Sequence, residues 1–256
     1  EIKKLIIVPW VFTNVAESAL AHAVKIGRMV NNDICLLHIV DPDVKVKAEG
    51  EKRALLKHIA EENSRKYNIN IIASVIKGSI FTSIAEFANS KDKEANLVVM
   101  GTHGMKGMQK LTGSWALKVI VKSKIPFIVV QEPPADQDRY HNIVFPVDFR
   151  IENKEKMKMA IFMGKYFDSK VHILKTVTTD KGLTAKVNKS LNFAVKYLIQ
   201  NNVEYEIHDV PNGKFAQQTI NFAQKINADL ILIVTTKNIT FADYGCAVST
   251  ASSIVS

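Results

Sequence analysis

Apolar residues fall into short continuous runs, separated by longer stretches in which they recur every three or four positions. The runs Leu5–Val8, Leu36–Val40 and Leu97–Met100 are typical of strands that are buried on both faces. The stretch Val15–Val30 has helical spacing between them. Because strands and helices alternate, the pattern predicts an α/β domain with a parallel sheet covered by helices. In such a sheet, ligand sites lie beyond the carboxyl ends of the strands.

Four segments of the first half recur in the same order in the second half. Pro9 aligns with Pro146 at an offset of 137 residues, and the offset falls to 133 at the last pair. The matched pairs are Lys4–Thr13 with His141–Arg150, Asp33–Val40 with Lys170–Val177, Lys77–Ala88 with Asn212–Ala223, and Ala95–Met100 with Ala228–Ile233. The repetition predicts two tandem copies of one doubly wound parallel-sheet domain.

Polar residues around Pro133 and Pro134 separate the copies, because proline resists both helix and sheet pairing. We therefore expect a first domain at 1–132, a linker at 133–140 and a second domain at 141–256. The strand run Ile125–Val130 closes the first copy, but at the offset of 133 its counterpart falls beyond Ser256. The second domain is thus expected to lack that strand, and its tail is assigned no site.

A glycine-rich stretch, GTHGMKGMQKLTGSWA, follows the strand run Leu97–Met100. Gly101 and Gly104 have no Cβ atoms, so a ligand can approach their main-chain amides. Gly113 and Ser114 then open a helical stretch, whose first amides and partial positive charge favour an anion. These features predict a phosphate site, although a glycine-rich turn that only joins strand to helix is the alternative. The spacing matches neither a Walker loop nor the dinucleotide fingerprint.

The stretch Val99–Gly104, with Gly113–Ser114, Ile6–Pro9 and the paired copies, resembles a tandem universal stress protein. The resemblance implies a five-stranded parallel sheet of the adenine nucleotide α-hydrolase-like type in each copy. It also implies ATP binding through a Gly-x2-Gly-x9-Gly-Ser/Thr motif. The nucleotide-binding residues it implies are Pro9, Val40, Met100, Gly101, Thr102, His103, Gly104, Gly113, Ser114 and Trp115.

The chain departs from the family pattern in both copies. Eight residues, not nine, separate Gly104 from Gly113, and Val11 stands where ATP-binding relatives carry an aspartate. The second copy has Asp148 at that position, but it has Val234–Lys237 in place of the first glycines. We therefore expect ATP or ADP in the first copy without efficient turnover, leave magnesium open, and expect a degenerate site in the second copy.

Other features narrow the class of protein. The formal charge of +9 comes from lysines interspersed with acidic residues, which argues against nucleic-acid binding. The chain shows no run long enough for a membrane span and no signal-peptide pattern, so a cytoplasmic protein is expected. Cys35 and Cys246 indicate neither a disulfide framework nor a zinc site. His38 and His172 are interpreted as satisfied core or strand-end residues rather than ligands.

Three functions stay open at this point. The first is a nucleotide-binding stress protein that is not an enzyme, with weak ATPase activity as the most credible catalytic form. The second is a scaffold or interaction protein of the same fold whose sites have decayed. The third is a binder of another small ligand, in a more apolar pocket near Trp10 and Val11. An intrachain pairing of the two domains and a homodimer of the whole chain are the expected assemblies.

Overall fold

The computed structural model describes residues 3–101, 125–135, 139–147, 154–211, 213–233 and 253–255. The chain divides into two compact units, Glu1–Pro134 and Ala135–Ser256. The division falls within the linker expected at 133–140. No helix among the described residues combines the length and apolar character that crossing a bilayer requires.

The first unit alternates strands and helices. Its elements are β1 (Leu5–Pro9), α1 (Asn14–Val30), β2 (Asp33–Val40), α2 (Val46–Tyr67), β3 (Ile71–Lys77), α3 (Ile80–Asn89), a 3₁₀ turn (Lys91–Lys93), β4 (Ala95–Gly101) and β5 (Phe127–Val130). The strands form a parallel sheet in the order β3-β2-β1-β4-β5. Three of these strands and α1 confirm the elements that the apolar pattern predicts.

The core of the first unit lies in the central strands. Ile6, Ile7 and Val8 of β1 are 0% exposed, as a strand covered on both faces requires. Helix α1 packs on this sheet through small side chains such as Ala19 and Ala23, which are also fully buried. The small side chains let the helix approach the sheet closely, so the first unit is built around β1, β4 and α1.

The second unit repeats this arrangement. Its elements are β6 (Asn142–Val147), α4 (Lys154–Phe167), β7 (Lys170–Val177), α5 (Lys181–Gln200), β8 (Tyr205–Pro211), α6 (Phe215–Lys225), β9 (Leu230–Leu232) and β10 (Ser253–Val255). The parallel order β10-β9-β6-β7-β8 is the order of the first sheet. The chain is therefore an α/β protein with two tandem copies of one doubly wound domain.

The repeat extends to the turn that follows the third strand of each copy. Gly78 after β3 has a φ of +156°, and its sequence counterpart Gly213 after β8 has a φ of +108°. L-amino acids with a side chain rarely adopt these values, so both copies need glycine at the turn into the next helix.

The end of the second unit differs from the sequence prediction. The closing strand is present as β10, in which Ile254 pairs with Ile231 and Val255 with Leu232 of β9. The offset of 133 residues predicts the strand too far along the chain, because the segment between the last two strands is shorter in the second unit. It spans 233–252 there and 102–126 in the first unit. The β-branched residues Ile254 and Val255 suit a strand, so the expectation that this strand is missing is wrong.

Candidate functional site

Three predicted site residues end strands of the first sheet. Pro9 is the last residue of β1, Val40 of β2 and Gly101 of β4. Because the strands are parallel, all three residues lie at the carboxyl edge of the sheet. These three residues therefore lie at the edge where the sequence predicts a ligand site.

The pairing of β1 with β4 ends before this edge. Their ladder ends at Ile7 and Val98, although β1 continues to Pro9 and β4 to Gly101. On its other side β1 stays paired with β2 as far as Pro9 and Leu37. The strand order also reverses between β1 and β4. Open α/β sheets bind ligands in the crevice that forms at such a reversal.

Gly101 brings β4 against the start of α1. A Cβ atom on Gly101 would lie 2.3 Å from the carbonyl oxygen and 2.4 Å from Cγ1 of Val15. Gly101 is not among the described glycines with positive φ, so close packing, not backbone conformation, excludes a side chain here. This contact gives Gly101 a structural role beside the predicted phosphate contact, and it places the first turn of α1 at the candidate site.

The segment that joins β1 to α1 holds two buried polar atoms. Trp10 is 3% exposed, and its Nε1 has no hydrogen-bond partner among the described residues. Thr13 precedes α1 as its N-cap, yet its Oγ1 is also buried without a partner in the described part of the chain. Buried donors and acceptors are normally satisfied, so these two atoms are candidates for ligand recognition.

Phe12, in the same segment, has a φ of +54° and packs edge-on against His38, with ring centroids 4.8 Å apart. The Nζ atom of Lys52, from α2, lies 4.6 Å from the Phe12 ring centroid. His38 Nδ1 donates a hydrogen bond of 2.8 Å to the carbonyl of Trp10, which confirms His38 as a satisfied residue near a strand end. Sequence reasoning missed Lys52, because α2 brings it to the edge from a distant part of the chain.

An ion-pair cluster links α2 to the end of β3. Glu49 lies 3.0 Å from Arg53 Nη2 and 3.3 Å from Lys77 Nζ. Hydrogen bonds from Arg53 first, and then from Lys77, hold the pKa of the Glu49 carboxyl below its usual range. The cluster therefore joins α2, the helix that carries Lys52, to the end of β3.

Val40 and Met100 are more enclosed than Gly101. The Val40 carbonyl accepts a hydrogen bond of 3.0 Å from the Gly78 N–H, and Val40 is 7% exposed. Met100 is 1% exposed and pairs with Val129 of β5. The side chain of Met100 thus belongs to the core of the sheet.

The remaining predicted contacts lie outside the described residues. These are Thr102, His103, Gly104, Gly113, Ser114 and Trp115. Asp148 and Val234–Lys237, on which the expectation of a degenerate second site rests, also lie outside the described residues.

The carboxyl edge of the second sheet differs at the position that corresponds to Pro9. The carbonyl of Pro146 accepts a hydrogen bond from Lys156 Nζ, which also lies 4.5 Å from the Phe145 ring centroid. A cation of the protein itself therefore occupies the space next to Pro146, whereas the described residues around Pro9 include no such lysine contact.

Comparison with known proteins identifies the family. The model of the Universal stress protein family matches residues 4–131, which is half of the chain. The chain belongs to the universal stress protein family. The predicted family is confirmed, and the matched residues of this universal stress protein lie within its first unit.

Individual relatives agree with this assignment. A universal stress protein of Methanocaldococcus jannaschii is 29% identical over 143 residues, which cover 51% of this chain and 83% of the relative. The crystal structure of a universal stress protein from Archaeoglobus fulgidus aligns with 98% of this chain and 94% of its own, at a TM-score of 0.74 and 12% identity. The crystal structure of a functionally unknown protein from Pseudomonas aeruginosa aligns with 99% of this chain and 92% of that protein's chain, at a TM-score of 0.65 and a sequence identity of 14%. At these identities the structural likeness concerns the fold.

Proposed function

We propose that the first unit binds ATP, ADP or a related anionic ligand at its carboxyl edge, as a stress-response protein of the cytoplasm. The observation that carries the proposal is the end of the β1–β4 ladder at Ile7 and Val98, before either strand ends. The ladder ends where the strand order reverses, next to the start of the glycine loop, and open α/β sheets bind ligands at such a reversal. The family resemblance supplies the adenine nucleotide as the expected ligand.

The described residues suggest how such a ligand would lie. Pro9 and Val40 end neighbouring strands and would flank the nucleoside. Gly101 begins the glycine loop and adjoins the first turn of α1, so main-chain amides and the partial positive charge of a helix start would face the phosphates. Lys52 adds a positive charge at the same edge.

The same edge favours binding without efficient turnover. Val11 is 43% exposed directly after β1, where its side chain supplies neither a general base nor a metal ligand. Within the described residues, the one group of three side chains that could hold a metal ion lies in the second unit.

A scaffold or interaction role without nucleotide is the alternative, and two observations favour it. One is Val11 in place of the acid, and the other is Lys156 at the edge of the second sheet. Two assemblies are compatible with both the nucleotide-binding role and the scaffold role. They are the pairing of the two domains within one chain and the homodimer of the whole chain, and both stay predictions.

Thermal unfolding of the full chain with added ligands separates these functions. A ligand that binds the native state but not the unfolded chain raises the melting temperature, and the rise grows with the logarithm of the ligand concentration once the site is occupied. We expect ATP and ADP to raise it, and GTP to raise it less. No shift with any nucleotide would overturn the proposal. A shift with an apolar ligand set alone would indicate the more apolar pocket near Trp10 instead.

A further inference from the structure

Two histidines and a glutamate form a cluster at the amino end of the second sheet. His172 is on β7, and Glu206 and His208 are on β8. His172 pairs with Glu206, and Leu174 pairs with His208. Because residues two apart on a strand share a face, all three side chains project from one face of the sheet. One nitrogen or oxygen atom from each residue lies within 4.8 Å of the others.

The separations are close to those around a bound metal ion. His172 Nδ1 and His208 Nε2 are 3.1 Å apart and share a hydrogen bond, whose proton a bound metal ion would displace. Two nitrogens bound to one tetrahedral Zn²⁺ would be about 3.3 Å apart, given Zn–N bonds of about 2.0 Å. Glu206 Oε1 is 3.8 Å from His208 Nε2, and Glu206 Oε2 is 4.0 Å from His172 Nδ1. A small rotation of this carboxylate would complete a three-ligand set.

Neighbouring residues hold the two imidazoles in a ligand orientation. His172 Nε2 donates a hydrogen bond of 2.9 Å to Asn142 Oδ1, which leaves the Nδ1 lone pair directed at His208. Metal-binding histidines typically donate their second ring N–H in this way. The His208 ring packs against Phe222 of α6, with centroids 4.6 Å apart.

The cluster is enclosed on one side and open on the other. The side chain of His172 is 8% exposed, that of His208 is 24% exposed and that of Glu206 is 49% exposed. This gradient gives an ion a route of entry and leaves room for water as the fourth ligand, as in zinc sites with three protein ligands.

The fold itself does not require these residues. In the first sheet the same register pairs Cys35 with Ile72, and Leu37 with Ser74. Cys35, Ile72 and Ser74 thus stand where the second copy has His172, Glu206 and His208. The first unit has the same topology without these three side chains, so the cluster is a feature of the second copy alone.

We propose that the second unit binds a divalent first-row transition metal ion, best represented by Zn²⁺, through His172 Nδ1, His208 Nε2 and the Glu206 carboxylate. Two imidazoles and one carboxylate suit Zn²⁺ and its neighbours, whereas Mg²⁺ and Ca²⁺ prefer oxygen ligands. The site lies in the other unit from the proposed nucleotide site and at the opposite end of its strands. It does not depend on nucleotide binding.

Lys170 competes with the ion for the carboxylate. Its Nζ is 3.0 Å from Glu206 Oε2 and 3.3 Å from Glu204 Oε1. When Glu206 turns to the metal, Glu204 remains as a partner for Lys170. Removing this lysine should therefore strengthen metal binding, because it removes both a competitor for Glu206 and a positive charge beside the ion.

The test uses full-length protein that has been freed of metal by chelation and dialysed. Calorimetric titration with Zn²⁺ should show one site per chain whose affinity falls at least about tenfold in His208→Asn and in Glu206→Gln. Lys170→Gln should bind more tightly than the wild type. The control is His58→Asn, because His58 faces Glu62 at 3.8 Å in a similar pair that lacks a second histidine.

A thermal melt of each variant checks its folding. Glu206→Gln keeps the shape of a half-exposed side chain, so it provides the test where His208→Asn destabilises the unit. Co²⁺ in place of Zn²⁺ should give the visible absorption of a four-coordinate nitrogen and oxygen site. The absence of saturable binding would overturn the proposal, as would binding that is unchanged in both ligand variants.

Discussion

Gly101 and Val15 approach so closely that a Cβ atom on Gly101 would lie 2.3 Å from the Val15 carbonyl oxygen. This approach joins the end of β4 to the first turn of α1, the two elements that border the proposed nucleotide site. The packing of the first unit and the shape of its carboxyl edge therefore depend on the same glycine.

The substitution Gly101→Ala should destabilise the protein. The added methyl group meets main-chain atoms of Val15, which cannot move without shifting α1, and overpacking of this kind costs about 1–3 kcal/mol. Urea denaturation measures the loss. Gly50→Ala is the matched control, because no atom lies within 4 Å of its Cβ position and alanine favours a helix over glycine. Equal stability of the wild type and Gly101→Ala would contradict the close contact.

Stability should fall in mild acid because of His22, a buried residue of α1. Burial, the largest effect, lowers the pKa of His22 to about 4 from an ordinary value of 6.5, against a smaller opposite effect of its hydrogen bond to Glu132. Between these two values the unfolded chain binds a proton that the folded chain does not. The His22 contribution to stability is thus constant above pH 6.5 and is lost as the pH falls toward 4, by about 3 kcal/mol in total.

The variant His22→Gln isolates this effect, since glutamine keeps a donor for the Glu132 carbonyl but does not titrate. When the pH falls from 7.5 to 4.5, the wild type should lose about 2–3 kcal/mol more of its free energy of unfolding than the variant loses. Urea denaturation at both pH values gives the difference. His58→Gln, at a side chain that is 66% exposed, is the control. A difference for His22→Gln that does not change with pH would show that the histidine titrates normally.

The substitution Val11→Asp should make nucleotide binding depend on magnesium. Val11 is 43% exposed beside β1, so an aspartate fits there without burial of its charge. It would restore an oxygen ligand near the phosphates, which Mg²⁺ prefers. ATP affinity should then rise on addition of Mg²⁺ in Val11→Asp more than in the wild type or in the uncharged control Val11→Asn. Equal magnesium dependence in all three proteins would place Val11 away from the nucleotide.

The sequence predicts the parts of the fold that have a strong apolar signal. β1 and α1 are recognisable because they bury most of their residues. Helix α2 has only Leu56 and Ala60 buried, so its sequence lacks a clear apolar stripe. Strand β3, at the edge of the sheet, has only Ile71 and Val75 buried, which gives a weaker signal than a continuous buried run.

The candidate sites show the same limit. Pro9 and Gly101 are predictable because they directly follow apolar strand runs. The packing of Lys52 on Phe12 depends on where α2 lies, which the sequence pattern does not specify. The histidine cluster combines β7 with β8, and its one local signal is the alternation of Glu206 and His208 on a strand. The sequence by itself predicts a structural role for His172, as for His38, because the partners of His172 on β8 come from a segment distant in the sequence.

Calorimetric titration of nucleotide-free protein with ATP and ADP tests the central claim most directly, because it gives both affinity and stoichiometry. We predict one nucleotide per chain, bound by the first unit, with binding lost in Gly104→Val and Gly113→Val and kept in the control Gly50→Val. Heat that never saturates, a stoichiometry of two, or binding that persists unchanged in both loop variants would contradict it.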